Sequence, residues 1–263
     1  CRPEDLQEAL SIHTRKITDS CRDKDCIEDL RVYLTKASQC VLDSAAGARV
    51  RCADLLYTYI DVEPVAFDRN HYCIDVTFYY RILADAMVGA TRPAALYGLA
   101  VFSKRAVLCG EDSHAHIFTS NTRLGELDGV TVASHNRPTA VVEVLDPMVL
   151  SSKVKEVCDC PCQDSVQIPA GIREMFDEEL VLSGDRRRLF VTLGQFSIIR
   201  LERDAQLIVP VLDYSIPTKE CCADPGSAED PCEMFSRIPF PTQQFTPRGC
   251  DRKGDDCDCY TTT

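Results

Sequence analysis

The strongest constraint on the fold is a run of eleven residues, 72–82, in which apolar and polar side chains alternate. Tyr72, Ile74, Val76, Phe78, Tyr80 and Ile82 occupy every second position, and Cys73, Asp75, Thr77, Tyr79 and Arg81 lie between them. Side chains point alternately to opposite faces of a strand, so the run predicts a strand with one buried face. Similar β-rich runs occur at Val50–Val65, Ala94–Leu108, Ala140–Val157, Arg188–Leu201 and Gln206–Ser215.

Turn-forming residues separate these runs. They are Asp68-Arg-Asn70, Gly110–Ser113, Asn136-Arg-Pro138 and Ser183-Gly-Asp185. Several short strands at regular spacing predict an all-β protein with an antiparallel β-sandwich-type body. Arg203-Asp204 is interpreted as the turn of a hairpin, and Gly194 as a bulge inside a strand. Short helices are predicted at Pro3–Ile12 and Ile172–Leu180.

The same patterns divide the chain into five parts. Residues 1–45 are predicted to form an N-terminal cysteine-bearing arm with a short helix, and residues 46–157 a β domain. Residues 158–165 form a cysteine-cluster linker, and residues 166–217 a helix plus β-hairpin unit that packs on the β body. Residues 218–263, with many prolines, acids and cysteines and little periodicity, are predicted to be an extended C-terminal arm.

Composition excludes some classes of partner. The net charge of the 263-residue chain is −12, which argues against nucleic acid and against an anionic membrane surface. No apolar run approaches the roughly 20 residues of a membrane-spanning helix, so no span is expected. The 16 cysteines favour an oxidising compartment, such as an extracellular one, or a particle that meets oxidant after assembly.

Most of the cysteines lie away from the β-rich middle, on the predicted arms and linker. Cysteines placed there can reach other subunits, and we therefore predict bonds between subunits for twelve of them. These are Cys1, Cys21, Cys26, Cys158, Cys160, Cys162, Cys221, Cys222, Cys232, Cys250, Cys257 and Cys259.

Metal binding is the main alternative use of this sulfur. Cys158, Cys160 and Cys162 could hold a soft metal, but no Cys-x2-Cys spacing of the kind that zinc sites favour occurs. His114 and His116 fit edge-strand surface residues better than a chelating pair. A His71–Cys73 pair on one strand face resembles a nucleophile with its base, yet no oxyanion donor accompanies it. No hydrolase, zinc-protease or nucleotide-binding motif is present, so neither catalysis nor a cofactor is expected.

Two stretches carry a resemblance to known proteins. Residues 19–30 (DSCRDKDCIEDL), and residues 196–207 (FSIIRLERDAQL) leading to 216–221 (IPTKEC), resemble uncharacterised cysteine-rich proteins of anaerobic spore-forming Firmicutes. In character the chain is also similar to coat, exosporium and endospore-appendage subunits, which are small β-proteins cross-linked through cysteines on terminal arms. This resemblance implies no catalytic residues.

Together these observations predict a self-assembling structural subunit of a disulfide-cross-linked filament or lattice. Its partner would be the protein itself, and other spore-surface proteins are further candidates. Two alternatives remain open: a cysteine-cluster metal-binding protein, and a monomeric surface- or carbohydrate-binding β-domain.

Overall fold

A computed structural model describes residues 12–68, 70–89, 93–111, 116–117, 134–135, 138–157, 166–208 and 231–245. Its strands are β1 Ile12–Leu34, β2 Gly47–Pro64, β3 His71–Met87, β4 Ala94–Cys109, β5 His116–Ile117, β6 Ser134–His135, β7 Thr139–Val144, β8 Met148–Glu156 and β9 Arg187–Leu207. Its helices are α1 Lys36–Ser44, α2 Ala170–Arg173 and α3 Pro231–Ser236, with a 3-10 turn at Thr242–Gln244. The predicted all-β, antiparallel class is confirmed.

Seven of the strands form one antiparallel sheet in the order β2-β3-β4-β1-β9-β7, with β8 also paired to β9. β7 and β8 lie end to end along β9, on either side of residues 145–147. The sheet curls until its edges nearly meet, where Val50 N donates a hydrogen bond of 3.1 Å to Ser152 Oγ on β8. A sheet curled in this way encloses its apolar face, as closed β architectures do.

Backbone pairing joins the two halves of the sheet at one end only. β1 pairs with β4 over three residues, from Val32 opposite Ala100 to Leu34 opposite Gly98. A side chain at Gly98 would place its Cβ 2.8 Å from the Tyr33 carbonyl oxygen, so this close junction requires glycine. Beyond the junction β1 continues along β9, and β4 continues along β3. The halves β2-β3-β4 and β1-β9-β7/β8 therefore face each other across the core, which is the sandwich-like aspect of the body.

The alternation in β3 is confirmed. All six of its apolar positions are buried: Tyr72, Ile74, Val76, Phe78, Tyr80 and Ile82. They pack against inward-facing residues of β9, such as Leu193 and Ile199, in the main hydrophobic core. Each fully buried aliphatic or aromatic side chain contributes about 1.5–3 kcal/mol of transfer free energy. This strand therefore supplies much of the driving force for folding.

The prediction that residues 1–45 form an arm is wrong for residues 12–45. They form β1, which is 23 residues long and lies between β4 and β9, and helix α1. Alternation of apolar and polar residues did not predict β1, because some of its inward positions, such as Asp23 and Asp25, are charged. These carboxylates pair with Lys104 from β4. The predicted helix Pro3–Ile12 falls on residues 1–11, outside the described part of the chain, and on Ile12, which begins β1.

Helix α1 was also missed. Thr35 caps its N-terminus by accepting from Ser38 N, and the Arg187 guanidinium donates to the carbonyl oxygens of Leu42 and Ala45 at its other end. Leu42 is fully buried. Thr35 followed by Ser38 is the local signal that marks the helix start.

The hairpin predicted at Arg203-Asp204 is wrong. β9 runs through both residues as one 21-residue strand, with Arg203 opposite Lys16 and Asp204 opposite Arg15. Arg15 and Asp204 also approach to 3.8 Å across the strands. Asp204 thus has a cation as its cross-strand partner, whereas Arg203 lies opposite the cation Lys16 and pairs instead with Glu111 at 3.8 Å.

The helix predicted at Ile172–Leu180 is shorter than expected. α2 covers four residues, and the chain then continues irregularly to a bridge between Leu180 and Thr35. Ile168, Ile172 and Leu180 form a second apolar cluster with Tyr79 and Leu99 on the outer face of β3 and β4. Residues 166–182 therefore cover one end of that outer face, whereas β9, which the predicted unit of residues 166–217 also contained, is a strand of the sheet itself.

Part of the predicted C-terminal arm is also docked on the body. Residues 231–245 pack on the outer face of β1 and β9, where the Phe235 ring lies 4.7 Å from the Phe196 ring. Lys24 Nζ donates to the carbonyl oxygens of Ser236 at 2.7 Å and Ile238 at 2.8 Å. The expectation of an extended arm is therefore wrong for these residues, because Phe235 supplies a buried anchor. Residues 218–230 and 246–263 lie outside the described residues.

Gly194 makes room for this anchor. No register shift occurs at Gly194 in the β1–β9 ladder, where it lies opposite Cys26, so the predicted bulge is wrong. A Cβ at Gly194 would lie 2.9 Å from the Phe235 ring. The glycine is therefore explained by the close approach of an aromatic ring and not by its backbone conformation.

We expect Gly194→Ala to lower the free energy of unfolding by about 1–3 kcal/mol, the usual cost of overpacking. Gly47→Ala is the matched control, since it lies at the start of β2 and its Cβ would meet nothing within 4 Å. Denaturant unfolding of both variants measures the difference. Equal stability of the two would contradict the packing of Phe235 against Gly194.

Candidate functional site

The cysteines divide into bonded and free. Cys26 on β1 forms a disulfide with Cys232 on α3, across a sequence separation of 206 residues and a Cα–Cα distance of 5.6 Å. Cys21 is also disulfide-bonded. These three were among the residues predicted to bond other subunits. In the structure Cys26 and Cys232 are bonded to each other within one chain, so neither sulfur of that pair is free to bond another subunit. The bonding of Cys21 to another subunit stays a prediction.

The remaining members of the predicted set lie outside the described residues. They are Cys1, Cys158, Cys160, Cys162, Cys221, Cys222, Cys250, Cys257 and Cys259. Their bonding stays a prediction.

Sequence reasoning passed over four cysteines that the structure shows to be free: Cys40, Cys52, Cys73 and Cys109. None of them belongs to the buried core, and Cys40 and Cys109 are exposed. The outward position of Cys73 could have been predicted from alternation, because Cys73 lies between the inward residues Tyr72 and Ile74. The described free thiols thus lie on the body.

Two of these thiols share a part of the sheet that no other described segment covers, which we call the open face. It consists of the outward side chains of residues 57–63 on β2, 71–77 on β3 and 103–109 on β4. Tyr57, Tyr59 and Val107 are 52%, 54% and 52% exposed there. Cys73 and Cys109 lie on this face. Aromatic side chains are enriched in protein–protein interfaces, so the open face is a candidate docking surface.

Cys109 belongs to a Cys–His–Asp constellation at the end of the open face. Antiparallel pairing puts His71 directly opposite Cys109, and His71 Nε2 lies 3.0 Å from Cys109 Sγ. Asp68 Oδ1 lies 3.0 Å from His71 Nδ1 but outside hydrogen-bond geometry, so that contact is electrostatic. The sequence suggested His71 with Cys73; the β3–β4 register replaces Cys73 by Cys109.

The surroundings of the two thiols differ. Burial raises the pKa of Cys73, although the Arg105 charge acts in the opposite direction. Arg105 forms a two-bond ion pair with Asp75 on the same face, at 2.7 and 2.8 Å. The Arg105 hydrogen bond holds the pKa of Asp75 below its ordinary value. Cys73 is therefore kept as a neutral thiol.

Inside the body, Lys104 forms the centre of a buried charge cluster. Its Nζ donates to Asp23 Oδ2 at 2.5 Å, to Asp25 Oδ2 at 2.6 Å and to Ser197 Oγ at 3.3 Å. The side chains of Lys104, Asp23 and Asp25 are 10%, 11% and 15% exposed. The cluster joins β4 to β1 where the strands have no backbone ladder. It replaces that ladder with charge-assisted hydrogen bonds.

Burial dominates the electrostatics of this cluster. It raises the pKa of Asp25, with Lys104 acting in the opposite direction and Asp23 adding to the rise. Burial also raises the pKa of Tyr80, whose hydroxyl donates to Gln195 Oε1 at 2.5 Å. Gln195 Nε2 is buried without a hydrogen-bond partner, opposite the break between β7 and β8. Such a polar interior joins the two halves of the sheet.

A cleft of about 550 Å³ lies between α1, residues 175–178 and the outer face of β2–β4. Tyr97 and Met175 line it and are 49% and 52% exposed. Arg81 and Asp54, 3.2 Å apart, add charge to its wall. An aromatic ring beside paired charges can bind a polar small molecule.

The candidate metal ligands from the sequence are not brought together in the described part of the chain. Cys158, Cys160, Cys162 and His114 lie outside it, and only the backbone of His116 is described, where it pairs with His135. Cys26, Glu28 and Cys232 place their ligand atoms within 4.8 Å of one another, but the two sulfurs are bonded to each other. That group therefore does not offer two thiolates.

Comparisons with known proteins identify no relative: no family model, no curated protein and no solved structure matches the chain. Within the described residues, no helix has the length and apolarity needed to cross a membrane.

Proposed function

We propose that this protein is a structural subunit that assembles with copies of itself into a disulfide-cross-linked filament or lattice. One observation carries the proposal: the four described free cysteines all lie outside the core, while the body is held together without them. Cysteines that served the fold would be expected in the core or in bonds across it. Thiols on the surface are available to a neighbour.

The open face supports a second copy as the neighbour. It combines two free thiols with exposed tyrosines, and it holds charges of both signs, such as Asp75 and Arg105. A surface of this composition can contact a different surface of a neighbouring copy, and a heterologous contact that does not close on itself produces a filament. A disulfide across such a contact makes dissociation depend on reduction.

The resemblance to cysteine-rich proteins of spore-forming Firmicutes supports the setting. On that basis we propose a spore-surface or other extracellular location, with other spore-surface proteins as further partners. The net charge of −12 argues against nucleic acid as a partner, which agrees with this proposal. No catalytic role is part of this proposal.

Size measurements test the assembly. At micromolar concentration in air, the protein should form particles larger than a monomer, visible by negative-stain microscopy, and covalently linked chains that dithiothreitol separates. Cys73→Ser/Cys109→Ser should reduce the linked fraction more than Cys40→Ser/Cys52→Ser does. Both variants should keep the β circular-dichroism signal, because none of these sulfurs lies in the core. A protein that stays monomeric throughout contradicts the proposal.

The cleft beside α1 favours a second candidate, a surface- or carbohydrate-binding β-domain. Exposed Tyr97 provides a ring on which a sugar can stack, and Arg81 and Asp54 provide hydrogen bonds. A glycan array with wild-type protein and with Tyr97→Ala separates the two candidates. Binding that the variant loses, by a protein that remains monomeric, would favour this second function.

A further inference from the structure

Cys109 differs from the other free thiols in its nearest neighbour. Its sulfur lies 3.0 Å from an imidazole nitrogen, Nε2 of His71, and the side chain is exposed. The geometry is set by backbone pairing, because His71 and Cys109 are directly opposite on β3 and β4. The hydrogen bond of 2.8 Å from Gly110 N to Asn70 O continues the pairing one step further. The contact is thus fixed by the ends of two paired strands.

The imidazole is oriented to accept a proton. Asp68 Oδ1 lies 3.0 Å from Nδ1, and this contact favours the tautomer with its proton on Nδ1, in which the Nε2 lone pair is directed at the sulfur. A thiolate is the nucleophilic form of cysteine, and a neighbouring imidazole that takes the thiol proton produces it as an ion pair. The arrangement is that of an activated thiol with an oriented base.

We propose that Cys109 is a nucleophilic thiol, with His71 as its base, that attacks disulfide bonds carried by a second copy of this chain. The choice of a second copy rests on the self-assembly proposed above. The nucleophilic character rests on the contacts of Cys109 alone. The reaction is thiol–disulfide exchange, and the substrate class is an accessible disulfide.

The exchange balances without an oxidant. The Cys109 proton moves to His71 Nε2, and the thiolate sulfur attacks one sulfur of the incoming disulfide. A new S–S bond forms as the old one breaks, and the other sulfur leaves as a thiolate that takes the proton from His71. One disulfide is consumed and one is formed, so the number of disulfides is unchanged. The product is a covalent link between two chains.

Charged groups around Cys109 come from three elements. Asp19 on β1 accepts a hydrogen bond of 3.0 Å from Cys109 N, so its carboxylate is engaged by the backbone. Lys16 on β1 and Glu111 after β4 pair with each other at 2.6 Å. On the open face itself, the nearest other thiol is Cys73, whose pKa is raised by burial. The His71 contact is the feature that distinguishes Cys109 from this neighbour.

Site-resolved alkylation tests the nucleophile in the intact chain. Iodoacetamide labelling at pH 6.5, read by mass spectrometry of peptides, should modify Cys109 at least about tenfold faster than Cys40. Cys40 is an internal control, because it is also free and exposed. The ratio should fall towards one at pH 9, where ordinary thiols also ionise. Equal rates at pH 6.5 would overturn the proposal without any variant.

Variants identify the base. His71→Gln keeps a polar side chain but cannot take the proton. It should slow the alkylation of Cys109 by about tenfold and leave the alkylation rate of Cys40 unchanged. His13→Gln is the matched control on an exposed position of β1 and should change neither rate. Glutathione disulfide used as substrate should form a mixed disulfide at Cys109 first in the wild type and not in His71→Gln. An unchanged Cys109 rate in His71→Gln would assign the base role elsewhere and overturn the proposal.

The two proposals fail in different ways. Rapid alkylation of Cys109 in a protein that remains monomeric would contradict self-assembly but support the nucleophilic thiol. Cross-linked particles that His71→Gln forms at the wild-type rate would retain self-assembly and contradict the role of Cys109.

Discussion

Replacing Lys104 by methionine should lower the free energy of unfolding at pH 7 by about 3–5 kcal/mol, the usual cost of breaking a buried ion pair by removing one partner. Methionine fills a similar volume, so little of the loss comes from a cavity. The loss arises because Asp23 and Asp25 remain buried with no cation. Urea unfolding of both proteins measures it. A variant as stable as the wild type would show that the cluster is not a buried network.

The loss should shrink as the pH falls from 7 to 5. Burial raises the pKa of Asp25 above its ordinary value of 3.8, and removal of the Lys104 charge removes an influence that lowers it. A carboxyl with a raised pKa binds its proton more tightly in the folded state than in the unfolded chain. The folded state of the variant therefore gains stability as the pH falls through the raised pKa. A difference between variant and wild type that stays constant over this range would contradict the assignment.

Arg105→Met is the matched control. Arg105 is the next residue on β4, but it points to the open face, where its ion pair with Asp75 has side chains 67% and 41% exposed. Exposed pairs are screened by solvent, so this variant should lose far less stability than Lys104→Met. The difference between this variant and the wild type should stay constant from pH 7 to 5, because the Arg105 hydrogen bond lowers the pKa of Asp75 in the wild type and that contribution is lost only below the ordinary carboxyl pKa of 3.8.

The second large effect concerns the disulfide between β1 and α3. Cys26→Ser/Cys232→Ser should lower the free energy of unfolding by about 2–4 kcal/mol, because the bond closes a long loop and restricts the unfolded chain. The bond spans 206 residues in sequence. The folded state should persist, since Phe235 and Lys24 still hold residues 231–245 on the body. Thermal and denaturant unfolding without reductant measure the loss.

Cys40→Ser/Cys52→Ser is the control for this variant. Both sulfurs are free, so their removal should change stability by no more than about 0.5 kcal/mol, as for ordinary surface substitutions. Equal stability of the two double variants would contradict an internal bond between Cys26 and Cys232. It would return both cysteines to the set available for other subunits.

The strands that could be predicted are those with apolar inward faces. β3 alternates between Tyr72 and Ile82 with all six inward positions buried, and Tyr79 on its outer face is buried by the second apolar cluster. β1 could not be predicted in the same way, because Asp23 and Asp25 face inward and Lys104, their partner, is about 80 residues away in sequence. Burial of paired charges depends on the tertiary structure. Local patterns do not report it.

The candidate site depended on register in the same way. A hairpin between residues 71 and 109 can be guessed from the two runs, but the pairing of His71 with Cys109 follows from residues far along both strands. Shifting the register by one residue would move Cys109 to the inner face. The bond between Cys26 and Cys232 likewise could not be predicted from the sequence, since spacing does not determine disulfide connectivity. Sequence therefore predicted an antiparallel body but did not predict that Cys26 is bonded within the chain.

Disulfide mapping on mixed subunits tests self-assembly most directly. Isotopically light and heavy proteins are reduced, mixed, assembled in air and digested without reduction, and the linked peptides are identified by mass spectrometry. The Cys26–Cys232 pair serves as an internal reference that should always carry one label. We predict linked peptides of mixed label that contain Cys73, Cys109 or a cysteine from residues 158–162. If every linked pair carries a single label, the disulfides are internal and the protein is not a cross-linked assembly subunit.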